Sequence, residues 1–192
     1  MAAVAVLDRL AALASRPGVA AVFGLWAAAE AVVLPVVPDV GLCLVVLAAP
    51  KHAARLFAAV VGGAVVGSLL LALLVAQAPE ATEAMLLALP GIDESVLVEA
   101  EEQLERDGVA GFAQVGIGPP LKVYTSAWLD RGGNLPGLIA GSVLNRLTRV
   151  GLPLLVAAVA GATFGSWFWR HARTTMAAYA VFWIVIYASI WT

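Results

Sequence analysis

The chain has 192 residues, 62 % of them hydrophobic and 12 % charged, where a soluble domain carries about 25 % charged residues. Its net charge is −2 and its 11 lysines and arginines are scattered, which argues against a nucleic-acid partner; its single cysteine, Cys43, excludes an internal disulfide. The composition is that of one all-α domain embedded in a membrane.

Residues 1–16 set Asp8 and Arg9 within an Ala/Leu/Val stretch. They predict a short helix at the membrane interface and no cleavable signal peptide. From Pro17 to Ala49 the sequence is apolar apart from Glu30 and Asp39. Pro35 and Pro38 stop a helix in its middle, because each lacks an N–H and pushes the preceding residue out of the helical region. These 33 residues would reach roughly 50 Å as helix, too short for two crossings of about 30 Å and too long for one. Residues 17–50 are therefore expected to form a re-entrant helical hairpin. Broken backbone at that depth survives only against protein or a water-filled cavity, so a polar cavity is expected beside the two carboxylates.

Lys51, His52 and Arg55 mark a membrane edge, and residues 53–77 predict a transmembrane helix. It carries Gly63-x-x-x-Gly67-Ser68, small residues that let a neighbouring helix approach. Pro79 ends it. Residues 80–107 hold nine acidic residues and predict an amphipathic helix outside the bilayer core, with Val96, Leu97, Ala100 and Leu104 as its apolar stripe. Pro90-Gly91 punctuates the segment, Asp93 is a candidate N-cap and Gly108 a candidate stop.

Residues 108–130 repeat the first pattern. Gly116-Ile117-Gly118-Pro119-Pro120-Leu121-Lys122 breaks the apolar stretch and leaves pieces of about ten residues, too short to span; a second re-entrant hairpin is expected. Asp130 to Asn134 form a turn. Residues 134–162 predict a second transmembrane helix with Gly137-x-x-x-Gly141-Ser142 and the arginines Arg146 and Arg149. A basic linker, Arg170-His171-Ala172-Arg173, leads to a third span over 174–191. Hairpin then span occurs twice, with one crossing between the hairpins. That order predicts an inverted repeat with its site at the midplane. Gly161-x-x-x-Gly165-Ser166 supplies a third copy of the small-residue element, so the element by itself signals packing only. Trp167, Trp169, Trp183 and Trp191 suit interfacial belts. Arg9, Arg16, Lys51, Arg55, Arg170 and Arg173 fall on one side, against Arg106 and Arg131 on the other. This puts the N-terminus in the cytoplasm and the C-terminus outside.

Five charges lie in membrane-grade sequence. Glu30 and Asp39 are candidate proton- or ion-coupling groups, since carboxylates in hydrocarbon are costly and mark function. Other readings stand beside this: Glu30 as the partner of a buried arginine, Asp39 as the cap of the helix after Pro38. Lys122 falls at a helix start, where the dipole disfavours a cation; an anion bound there would account for it, as would snorkelling. Arg146 and Arg149 share a helix face at a spacing of three. They are candidate phosphate ligands through the guanidinium fork, or structural partners of Glu30 and Asp39. Three cations against two anions leave +1, which suits an anion. His52, His171 and Cys43 lie far apart, so neither a metal nor a cofactor is expected. Ser68 and Ser142 have no base nearby and read as packing residues, so no enzyme is expected.

The ordered set Glu30, Pro35, Pro38-Asp39, Gly63, Gly67, Gly108 and Pro119-Pro120-Leu121-Lys122-Val123-Tyr124 resembles the DedA superfamily, also called the VTT or SNARE-associated domain. The second hairpin motif resembles the small YqaA-like branch, and Asn145-Arg146-Leu147-Thr148-Arg149-Val150 partly matches the Gly-Arg-x-x-Arg-Phe-like motif that follows it there. The arginine of the larger branch is replaced by Gly116, and its tyrosine and Gly-Arg pair are missing near Leu70 to Val75. The resemblance implies a transporter moving polyprenyl-phosphate or phospholipid, linked to the proton gradient. The expected function is a proton-linked flippase for an anionic lipid in a bacterial inner membrane, with membrane lipids and protons as partners, as a monomer or a homo-oligomer. The alternatives are a proton-coupled carrier of a small soluble solute and a non-transporting membrane-homeostasis scaffold.

Overall fold

A computed structural model of the chain describes residues 2–113 and 118–191, and every regular element among them is helical. Helix α1 (Ala2–Ala14) meets α2 (Pro17–Glu30) at 87°. Pro17 starts α2 because the first helical position needs no N–H. The Arg55 guanidinium closes the corner by donating to the Ala14, Ser15 and Arg16 carbonyls, so a residue expected only as an edge marker also caps α1.

The break predicted at Pro35 and Pro38 spans 31–38, between α2 and α3 (Asp39–Ala48). Several of its freed polar groups find partners. Val33 and Leu34 both donate back to Ala29 O. Trp26 Nε1 donates to Val36 O at 2.8 Å, Lys122 Nζ to Leu34 O at 2.7 Å, and Val37 N to the Tyr187 hydroxyl at 3.1 Å. Such cover is what apolar surroundings demand of irregular backbone.

A short 3₁₀ turn, Pro50–His52, leads to α4 (Ala53–Gln77), which at about 1.5 Å per residue exceeds one bilayer core. Helix α2 lies along α4 at contact distance: a side chain at Gly63 would strike the Gly24 backbone, and one at Gly67 would strike Ala28. The acidic segment is two helices, α5 (Pro79–Leu87) and α6 (Glu94–Asp107). Asp93 caps α6, its side chain accepting from Val96 N at 3.1 Å, and Gly108 ends it at φ 58°, a conformation glycine adopts without cost. Ala100 and Leu104 are the buried edge of α6.

The second half departs from the expected arm–break–arm. Before the break there is only a 3₁₀ turn, Gly108–Phe112, and the arm after it is α7 (Leu121–Asp130). Gly111 sits against the Gln103 carbonyl, which ties this turn to α6. The part of the break at 114–117, with Gly116 and Ile117, lies outside the described residues.

The helix expected over 134–162 is longer. Helix α8 (Leu135–Arg146), a π-helical turn (Leu147–Gly151) and α9 (Leu152–Arg170) run on as one stretch of 36 residues, Leu135–Arg170. Pro153 cannot donate to the carbonyl four residues back; the wider turn just before it absorbs the missing bond without ending the helix. The basic linker shrinks to His171, and α10 (Ala172–Trp191) follows directly. Two helices, Pro50–Gln77 and Leu135–Arg170, are long and apolar enough to cross a membrane, and a third crossing arises if bent α1 and α2 count together. The third span expected over 174–191 is not among them: within α10, Ala172–Ala188 is a shorter apolar helix. Two apolar clusters flank α4. One joins Phe23, Ala27, Val46 and Leu154; the other joins Ala31, Leu104, Phe112 and Tyr124. Glu30 falls between Ala27 and Ala31, at their seam.

Candidate functional site

Glu30 is the last residue of α2 and Arg146 the last of α8. Their side chains form an ion pair, Arg146 Nη2 donating to Glu30 Oε2, with 1 % and 3 % of the side chains exposed. The structural reading of Glu30 is thus realised in its geometry. Next to the pair, Asn145 Nδ2 donates to Phe112 O at 3.0 Å and fixes the turn Gly108–Phe112.

Arg149 has other partners than Arg146: it lies within the π-helical turn Leu147–Gly151, and its Nη1 donates to Pro119 O at 3.1 Å and Gly118 O at 3.4 Å. Each break therefore has a carbonyl held by a cation from elsewhere in the chain: Lys122 on Leu34 O, Arg149 on Pro119 O. An ammonium has three donors and a guanidinium five, so both keep donors beyond these bonds. Lys122 is 2 % exposed and cannot be snorkelling.

Asp39 opens α3, but Pro38 holds the cap position and no side-chain cap bond forms. Asp39 is 6 % exposed and its Oδ1 has no hydrogen-bond partner among the described residues. The capping reading is corrected; a buried acceptor is left open.

These groups converge on one cavity of about 720 Å³. Glu30, Asp39, Lys122 and Arg149 line it, while Arg146 stands behind Glu30, outside the lining. Both breaks supply wall, through Pro35, Pro119 and Pro120; Pro38 does not. Leu152, Pro153 and Val156 form an apolar side, and Phe182 and Trp183 of α10 close another. Trp183, expected in an interfacial belt, is a cavity residue. The turn between α5 and α6 contributes Leu89 to Ile92, and α6 contributes Val96 and Glu99. Nothing in the sequence marks Glu99, because it reads as one acid on a solvated face.

The small-residue elements sit in packed crossings. A side chain at Gly137 would strike Trp128, and one at Gly141 would strike Phe112. Ser142 Oγ donates to Ser68 Oγ at 3.0 Å, joining the two elements where α8 meets α4. Gly161 packs on the Leu47 backbone, whereas Gly165 faces open space. No group of three or more His, Cys, Asp or Glu that could hold a metal occurs among the described residues. Among known protein families, curated proteins and solved structures, none matches this chain.

Proposed function

We propose that the chain is a DedA-like membrane transporter, a proton-linked flippase for a lipid with an anionic phosphate head group. The observation that carries this is the cavity itself: two cations with spare donors, a buried carboxylate with one oxygen unpartnered among the described residues, and apolar walls in one space. Spare N–H groups of Lys122 and Arg149 receive the phosphate. The wall of Leu152, Val156 and Phe182 accommodates the start of an acyl or prenyl chain. Asp39 takes up the proton. Its neutral form leaves Lys122 and Arg149 less compensated and so favours the anion; its charged form repels it. Glu30 holds Arg146, and through it the seam between the halves.

On this reading both breaks are re-entrant and meet near the midplane, the two halves form an inverted repeat, and the basic edge with the N-terminus faces the cytoplasm of a bacterial inner membrane. The test is transbilayer movement of labelled polyprenyl phosphate and phospholipid in proteoliposomes, with and without a pH gradient. Movement that depends on the gradient in the wild type, and loses that dependence in Asp39→Asn, is the expected result. Lys122→Ala and Arg149→Lys should weaken phosphate-lipid binding far more than they lower melting temperature, since a point charge does not reproduce the guanidinium fork. Normal binding by well-folded Lys122→Ala protein would end the reading.

A further inference from the structure

Leu152 and Val156 of α9 and Phe182 of α10 line the cavity, yet they are 47 %, 69 % and 56 % exposed. A side chain that faces both a cavity and the outside stands at a mouth. This mouth lies between α9 and α10, and its rim is apolar. Leu152 stands halfway along the apolar stretch Leu135–Arg170, where a crossing helix passes through hydrocarbon. An opening ringed by such residues suits lipid rather than water.

Of its two walls, α10 is the less firmly held. It joins α9 through one non-helical residue, His171 at φ −108° and ψ 31°, and a residue at the end of an element is where hinge rotations are taken up. Among the described residues of α10 only Ala172, next to that hinge, is buried. Thr175, Met176, Tyr179, Trp183, Ile186 and Tyr187 are half-buried and recur at helical spacing, so α10 rests on the body along one narrow stripe. An element with so little burial opens at lower cost than the core beneath it. Two hydrogen bonds on the stripe oppose opening. The Tyr179 hydroxyl donates to Val40 O, and Val37 N donates to the Tyr187 hydroxyl at 3.1 Å. Both reach residues 37–40, the stretch that carries Asp39.

We propose that α10 is a hinged side gate: it swings about His171, opens the cavity laterally between α9 and α10, and is held shut by Tyr179 and Tyr187. What lies in the open gate is the hydrocarbon chain of a molecule whose head stays on Lys122 and Arg149. For that occupant the inference rests on the phosphate-lipid reading above; the gate itself rests on how α10 is held.

The test is a distance measurement between two spin labels on the full chain in phosphatidylcholine vesicles. The labels sit at Ile184→Cys on α10 and Leu73→Cys on α4, both exposed positions, with Cys43→Ala to remove the native thiol. Ile184 is thirteen residues past His171, about 20 Å along the helix, so a swing of about 15° displaces it by about 5 Å. Loss of one hydroxyl bond shifts the closed-to-open ratio by about two- to tenfold. Tyr179→Phe combined with Tyr187→Phe should therefore add a second distance, about 5 Å from the first, and each single variant should show a smaller share of it. Melting curves check folding, and the single variants carry the test if the double variant does not fold. Tyrosines with a structural role alone would lower the melting temperature and leave one distance; that result overturns the gate. Phosphatidic acid added to the wild-type vesicles should populate the second distance, whereas inorganic phosphate, which has no chain, should not. An equal response to both overturns the lateral opening. A second distance in the double variant with no response to phosphatidic acid supports the gate and removes the phosphate-lipid reading.

Discussion

Replace Glu30 by alanine and the Arg146 guanidinium stays buried with no counter-ion. The pair is sealed: 1 % of the arginine side chain and 3 % of the glutamate side chain are exposed, and Arg146 Nε has no hydrogen-bond partner among the described residues. Removing one partner of such a pair costs about 3–5 kcal/mol, because the remaining charge keeps its desolvation penalty and loses its compensation. Against a usual stability of about 5–15 kcal/mol, that is more than half of the total at the low end. Arg146→Met alone should cost a similar amount, since it strands the carboxylate. The double variant, Glu30→Ala with Arg146→Met, removes both charges and should cost far less than the sum, with a coupling of at least about 2 kcal/mol. Denaturant unfolding in detergent micelles, followed by tryptophan fluorescence, measures all four corners of the cycle. Single effects that add to within about 0.5 kcal/mol would refute the argument. On the proposed function, the cycle also sorts the roles of the two acids. If the double variant folds and still moves lipid, Glu30 is a structural acid and Asp39 carries the proton alone.

Two neighbouring glycines on α4 give a second check. Gly62→Ala meets nothing within 4 Å and should stabilise by about 0.5–1 kcal/mol through helix propensity, whereas Gly63→Ala runs into the Gly24 backbone and should destabilise by about 1–3 kcal/mol; equal melting temperatures would contradict the packing described. Asp93→Ala should speed amide exchange at Val96 and leave the middle of α6 protected, because only the first turn loses its cap. The Asp93 carboxyl is held below its ordinary 3.8, first by the Ser95 hydroxyl and then by the Val96 N–H. Its folded value is the lower one, so the cap is fully present above 3.8 and is lost as pH falls through the folded value. Protection at Val96 that fades already near about pH 5 would contradict this.

What the sequence made legible is mostly local. Pro35 and Pro38 act on the backbone beside them, Asp93 and Gly108 act within one turn, and each falls where the spacing expects it. The gathering of Glu30, Asp39, Lys122 and Arg149 was also legible, because isolated charges in apolar sequence have few places to go. Arg146 and Arg149 were not separable on a regular helix. Pro153, four residues past Arg149, was the available signal for the widened turn that parts them. The 36-residue run Leu135–Arg170 hid behind the basic residues at its end, since arginines mark an edge without marking where a helix stops. Glu99 was out of reach: a carboxylate on a solvated face and one on a cavity rim look alike until the opposite wall is known.

The fastening of α10 to the first break sets an order of assembly. Tyr187 receives the Val37 N–H 150 residues away in sequence, and the Tyr179 hydroxyl donates to Val40 O across 139. A ribosome that feeds the chain into a membrane from its N-terminus delivers the break long before these tyrosines. Through most of synthesis the Val37 amide must therefore be served by water, by lipid head groups or by an insertion factor, and the first pair of helices waits unfastened. Closure comes with the two tyrosines, so a chain halted before residue 172 would emerge inserted but unlatched, its first break a ready point of recognition for membrane quality control.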